Sequence, residues 1–305
     1  MIYTLTFNPS LDYIMHIDTL EIGKTNRSLK EEIYLGGKGF NVSTILQRLQ
    51  IENTAFGFIA GFTGQEIKRR LLDRGFHLDL IELKEGNNRI NIKLKGQQET
   101  EINANGPHIS NLELNQLFEQ LNQIQAGDSL ILAGSIPTSL PHDLYEQIMK
   151  YLQNKDVQII VDASKEVLRL VLHYHPFLIK PNLQELEEFF DKTIHSQEEI
   201  ITYAKKLQEL GATNVLVSLG KDGAILVTKD SIYYAPSAKG ILINSVGSGD
   251  SMVAGFLAGY LKSNDYQEAL HLGTACGGAT AFSEDLAEFD KIQEVYQQIK
   301  IQQLY

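Results

Sequence analysis

Two glycine-rich segments of this 305-residue chain combine a permissive backbone with side chains that handle charge. The first is Gly36-Gly37-Lys38-Gly39-Phe40-Asn41-Val42-Ser43. It leads into a helical pattern in which Val42, Ile45, Leu46 and Leu49 recur at i, i+3, i+4 and i+7. Glycines let a backbone approach a ligand closely. Lys38 and Asn41 stand where the free N–H groups of a helix start favour an anion. A plain strand-to-helix turn with an exposed lysine would read the same way, and the P-loop spacing is absent. The second is Asn244-Ser245-Val246-Gly247-Ser248-Gly249-Asp250-Ser251, followed by a helix with Ala254, Gly255, Ala258 and Gly259 on it. Consecutive main-chain N–H groups at Gly247, Ser248 and Gly249 would cradle an anion. Asp250 would either accept a proton from a substrate hydroxyl or cap the helix.

Three weaker segments accompany these two. Lys180-Pro181-Asn182-Leu183-Gln184-Glu185 ends an apolar strand, and Asn182 and Glu185, three apart, can share a face toward a hydrated Mg²⁺. The same pair reads as a capping box. Val217-Ser218-Leu219-Gly220-Lys221-Asp222-Gly223 is either a phosphate-holding turn or a hairpin. Asp12, in Asn8-Pro9-Ser10-Leu11-Asp12, would bind sugar hydroxyls or close a turn. The histidines, His173 and His175 among them, have no metal-ligand spacing. No nucleophile elbow, protein-kinase signature set or dinucleotide fingerprint is present.

The elements that must hold these residues alternate. Candidate strands are Ile2–Phe7, Ala55–Ala60, Ser129–Ala133, Val157–Asp162, Pro176–Lys180, Asn214–Ser218 and Ala224–Val227; helical patterns cover 64–74, 111–124, 140–153 and 196–210. The alternation predicts an α/β fold, a mostly parallel sheet with helices on both faces. Segments 11–35 and 87–104 are polar, strand-like and lack a long helix. In Arg89-Ile90-Asn91-Ile92-Lys93-Leu94-Lys95 one strand face carries Arg89, Asn91, Lys93 and Lys95, the other the apolar residues. A small antiparallel sheet standing off the body accounts for both segments. Its apolar face needs cover from the body or from a second subunit. No linker divides the chain, so residues 1–305 read as one domain with these two segments inserted.

Composition sets the surroundings. Lysine and arginine number 27 against 38 acidic residues, a net charge of −11. That field opposes nucleic acid and anionic lipid, and an anionic substrate would need a locally built basic site. A single cysteine, Cys276, excludes a disulfide framework. No run reaches the length of a membrane span, and the N-terminus lacks a basic region with a cleavage site. The expectation is a cytoplasmic protein.

Together the two glycine-rich segments resemble the paired signatures of the PfkB (ribokinase-like) carbohydrate kinases, and the resemblance runs from Thr6 to Phe282. The family implies a three-layer α/β/α domain with a β-sheet lid, ATP as phosphoryl donor and Mg²⁺ as its companion. It implies Asp250 as catalytic base, with Gly247, Ser248 and Gly249 forming the anion hole. Asn182 and Glu185 match the element that organises Mg²⁺ through water, with Lys180 near the nucleotide phosphates. Ser218, Gly220 and Gly223 match the phosphate-binding turn, and Cys276 and Ala279 would lie near adenine. Asp12, Gly37, Lys38 and Asn41 fall on the sugar side. Lys38 and Arg89, then Arg27 and Lys93, are candidates for a phosphate already on the sugar; arginine suits a bidentate contact best. The lid would pair with a second subunit as a homodimer.

Phe7-Asn8-Pro9-Ser10, Thr100-Glu101-Ile102-Asn103 and Gly106-Pro107-His108 resemble the branch that phosphorylates fructose 1-phosphate to fructose 1,6-bisphosphate. A tagatose 6-phosphate kinase, or another sugar kinase, is the nearest alternative. From a different class, a catalytically silent sensor of sugar phosphate or nucleotide would carry the same turns.

Overall fold

Short runs rich in leucine and β-branched residues form strands whose alternate side chains enter two separate apolar clusters. Leu130 and Leu132 face one side of the sheet, Ile131 and Ala133 the other. A sheet so covered on both faces is the middle layer of three. The computed structural model describes residues 1–163 and 165–305.

The first strand, β1 (Ile2–Thr6), is buried throughout. The chain leaves the body as β2 (Ser10–His16), returns as β3 (Lys30–Gly36) and enters α1 (Lys38–Arg48). After β4 (Asn53–Ala60), α2 (Gly61–Asp73) and β5 (His77–Leu83), it leaves again as β6 (Arg89–Lys95) and β7 (Glu99–Ile102). Then α3 (Asn111–Gln120), β8 (Ser129–Ala133), α4 (Leu144–Leu152) and β9 (Gln158–Asp162) bring it back. They are followed by α5 (Lys165–Val171), β10 (Leu178–Ile179), α6 (Leu183–Phe190), α7 (Gln197–Glu209) and β11 (Asn214–Ser218). The last elements are β12 (Ala224–Val227), β13 (Ile232–Ala235), α8 (Ser248–Ser263), α9 (Tyr266–Ala281), α10 (Phe289–Tyr296) and β14 (Gln302–Gln303).

The large sheet has the order β14-β13-β12-β11-β10-β9-β8-β1-β4-β5, parallel from β11 to β5 and antiparallel from β11 to β14. The strands expected at Ser129–Ala133, Asn214–Ser218 and Ala224–Val227 have those bounds. The fold is the expected mixed α/β layer structure. Among the described residues no helix is long and apolar enough to cross a membrane.

The small sheet, in the order β3-β2-β6-β7, differs from expectation in one respect: its central pair, β2 and β6, is parallel. Both strands continue outward from the carboxyl ends of parallel body strands, β2 after β1 and β6 after β5, so they run the same way. Its polar face turns inward over a cleft, where Asn91 and Lys93 are buried. The opposite face carries Ile33, Tyr13, Ile92 and Ile102 in one row across all four strands. Near the body, Leu11 and Leu35 of that face pack with Ile67 and Leu71 of α2. On the same face Ile33, Ile90 and Ile102 remain exposed.

Candidate active site

Between the body and the small sheet lies a cleft of 1030 Å³. Its floor is built at the strand ends and helix starts of the body, its roof by the inward face of the small sheet.

The floor centres on Asp250. The helix α8 begins at Gly247, whose φ of +79° an L side chain rarely adopts; a Cβ there would lie 2.6 Å from Leu286 Cδ2. Asp250 therefore sits in the first turn but does not cap it, since α8 has no side-chain cap. Its Oδ2 instead accepts a hydrogen bond from Asn41 Nδ2 at 2.8 Å. The carboxylate is only 5% exposed, yet it lines the cleft. Burial, and then the nearby charge of Asp162, push its pKa up to about 6. It is thus more basic than an ordinary aspartate while still ionised at neutral pH. The amides of Gly249 and Asp250 belong to the first helical turn and have no helix acceptor.

Asn41 and Lys38 reach this point because α1 starts at Gly37, with φ +132°. A Cβ on Gly37 would lie 2.7 Å from Thr6 Cγ2, so the turn is pressed against β1. Lys38 Nζ donates to Asp162 Oδ2 at 3.1 Å, and Lys180 Nζ lies 3.6 Å from Asp162 Oδ1. Burial would raise the pKa of Asp162, but the two ammonium groups hold it below the usual range. Lys38 is pulled down by burial and more than restored by Asp162 and Asp250. Two cations and two carboxylates thus share the floor in near balance. Such a set favours a transferring anion only if it meets one of the cations.

Farther along the cleft, Asn182 caps α6. Its Oδ1 accepts from the Glu185 amide at 2.8 Å, and Glu185 Oε2 accepts from the Asn182 amide at 2.8 Å. The capping box and the cleft-lining position coexist, for both residues line the cleft. Among the described residues Glu185 Oε1 has no protein donor, which leaves it for a hydrated cation. A bridge between Asn182 and Ser218 puts the Ser218 turn alongside.

The roof supplies Asp12, Arg89, Lys93 and Lys95. Arg89 donates from Nε to the Asn8 carbonyl at 3.1 Å and, among the described residues, has no carboxylate partner. Burial lowers its pKa, with Asp12 opposing. An arginine so placed keeps its outer N–H groups for a phosphate.

A cradle of amides beside a cleft-facing carboxylate, with a cationic roof, is a phosphoryl-transfer geometry. The model of the pfkB family carbohydrate kinases matches residues 5–291. The chain belongs to that family. It is 46% identical over its full length, and the relative's, to a 1-phosphofructokinase of Bacillus subtilis. It is 39% identical, again over both full lengths, to a D-tagatose-1-phosphate kinase of Bacillus licheniformis. The phosphofructokinase-2 of Escherichia coli, solved in complex with substrates and products, superposes with a TM-score of 0.91. That match has 27% identity and covers 97% of this chain and 98% of the other.

In this kinase the cleft brings together Asp12, Gly37, Lys38, Asn41, Arg89, Lys93, Lys180, Asn182, Glu185, Ser218, Gly247, Gly249 and Asp250. Other expected residues lie elsewhere. Cys276 and Ala279, placed beside adenine by resemblance, are both fully buried. Their small side chains let α9 press on α8: a Cβ on Gly255 would lie 2.7 Å from Cys276 Sγ. The small-residue stripe thus serves the packing of these two helices. Ser248 does not line the cleft either; its amide donates to the Ser245 carbonyl at 3.3 Å. Gly220 and Gly223 shape the turn beside Ser218 without lining the cleft, and Arg27 is exposed in the loop between β2 and β3.

The residue missed from sequence is Asp162, 2% exposed between Lys38 and Lys180. The only signal for it was its place at the carboxyl end of a parallel strand, where ligands of α/β sheets gather.

Proposed function

We propose that this kinase transfers the γ-phosphoryl group of ATP to the 6-hydroxyl of fructose 1-phosphate, giving fructose 1,6-bisphosphate. The observation that carries the mechanism is the Asp250 carboxylate, held by Asn41 at the cleft and raised toward neutral pH. Asp250 takes the proton of the attacking hydroxyl, and the Gly249 and Asp250 amides with Lys38 or Lys180 receive charge on the moving group. Gly247 shapes that cradle. Mg²⁺, carried by the triphosphate, would be held through water by Glu185 and Asn182 and would neutralise phosphate charge. Ser218, with the Gly220–Gly223 turn, supports the nucleotide side.

The sugar lies under the roof. Asp12 takes hydroxyls, and Arg89 binds the phosphate already present. The named relatives support a substrate phosphorylated at C1, both for the fructose and for the tagatose branch. D-Tagatose 1-phosphate, differing at one ring carbon, is accordingly the second reading, in place of tagatose 6-phosphate. The row of Ile33, Tyr13, Ile92 and Ile102, exposed at its two ends and half-buried between them, supports a second copy of the chain as partner. Such a face can meet its own copy across a two-fold axis.

The test is a panel of sugars with ATP and Mg²⁺. kcat/KM should be greatest for fructose 1-phosphate, followed by tagatose 1-phosphate, with fructose 6-phosphate and free fructose far behind. Preference for an unphosphorylated sugar would overturn the substrate, and ATP turnover with none of them would overturn the reaction.

A further inference from the structure

The charged side chains on the inward face of β6 differ in how they are balanced. Arg89 makes a backbone contact only, to the Asn8 carbonyl. Lys93 is already engaged twice: its Nζ lies 3.7 Å from Asp12 Oδ2 and 3.4 Å from Glu101 Oε1. At 8% exposure it is a nearly covered ammonium between two carboxylates. A phosphate would have to compete with both for the ammonium, and Asp12, the more buried of the two, would lose its cationic partner.

Asp12 shows what that arrangement accomplishes. Its Oδ1 accepts from Ser10 Oγ at 2.7 Å and from Asn91 Nδ2 at 2.9 Å. Both protein hydrogen bonds thus fall on one oxygen. Oδ2, on the Lys93 side, keeps its capacity to accept from a ligand. In the strand register Asp12 lies opposite Asn91, and Ile14 opposite Lys93, so the lysine reaches back by one pair to meet the carboxylate. Glu101, on the exposed strand β7, holds the ammonium from the far side.

We propose that Lys93 is a positioning residue for Asp12 and not a ligand of the sugar's phosphate. It fixes the direction in which Oδ2 meets a sugar hydroxyl, while Arg89 alone of the two bears on the phosphate. This rests on the reading of Asp12 and Arg89 given above.

Two double-mutant cycles test it, with fructose 1-phosphate as the varied substrate and ATP saturating. Lys93→Met should raise the sugar KM about tenfold, with kcat within about twofold and the ATP KM unchanged. In an Asp12→Asn background the same change should add less than about twofold, because the group it acts through is gone. In an Arg89→Ala background its full effect should persist. Lys93→Arg, which keeps a cation beside Asp12, should restore most of the affinity. The proposal is overturned if Lys93→Met leaves the sugar KM unchanged, or if its effect multiplies with Asp12→Asn. It is equally overturned if Arg89→Ala absorbs the effect, the mark of a shared phosphate, or if the ATP KM rises and kcat falls with it, the mark of general damage. An Asp12→Asn variant with a normal sugar KM would instead overturn the sugar-site reading, and this proposal with it.

Discussion

The floor and the roof of the cleft are built on opposite plans. The floor places Asp250, Asp162 and Lys180, each no more than 6% exposed, on strand ends and helix starts that apolar clusters lock from both faces. The roof hangs its charges from β2 and β6 of a four-stranded sheet whose outer face is only partly covered. Groups that must hold a proton or a moving charge to within a fraction of an ångström belong on the rigid side. Groups that select and enclose a substrate can sit on the less firmly packed side. The floor should therefore govern kcat and the roof the sugar KM.

The largest effect expected from that division is on the floor. Asp250→Asn keeps the shape and removes the proton acceptor, so kcat should fall by about 10²–10⁴-fold while both KM values change little. Steady-state rates with each substrate varied would show it. Near-normal turnover would remove Asp250 from the chemistry and erase the distinction between the two sides.

The roof should answer in the other parameter. Arg89→Ala should raise the sugar-phosphate KM by about 100-fold, the scale of a charged partner lost from a shielded pair. The ATP KM should stay constant. A kcat loss without a KM change would place Arg89 on the floor's side of the mechanism.

A finer probe lies within the floor. Asp250 carries a raised pKa, so its basic form is present above about pH 6 and is lost as pH falls through that value. kcat/KM should drop along an acid limb near there. The Asp162 charge raises this pKa and the Lys38 charge lowers it. Asp162→Asn should therefore move the limb to lower pH and Lys38→Met to higher pH, each by about one unit. Shifts of the same sign would disprove the balanced quartet.

Much of both regions was legible in the sequence, for different reasons. The turns at Gly37 and Gly247 were readable because each needs a glycine conformation next to a helical apolar pattern. The roof was readable because Arg89 to Lys95 alternate strictly. Asp162 was not, because nothing local marks it. Its meaning comes from Lys38, 124 residues earlier, and from the neighbouring strand end that carries Lys180. At Cys276 and Ala279 the sequence is ambiguous, because a stripe of small residues suits a ligand and a close helix equally well; the fold shows the helix contact, Gly255 packing against Cys276. The parallel pairing of β2 with β6 depends on where each strand departs from the body, which lies outside any local window.

The smallest expected effect concerns the roof's outer face. Ile33 and Ile102 are 39% and 58% exposed and stand in one row with Tyr13 and Ile92. Covering such side chains releases roughly 25 cal/mol for each Å² of apolar surface removed from water, so a second copy laid across the row would stabilise both roofs. Ile33→Ser with Ile102→Ser should convert a two-chain species to one in sedimentation at micromolar concentration. The floor does not share that face, so kcat should hold, and only the sugar KM should rise, by about two- to threefold, as the roof loses its brace. A sedimentation coefficient that the double substitution leaves unchanged would mean that the outer row is solvated in the working enzyme, and that the roof is held by its attachment to α2 alone.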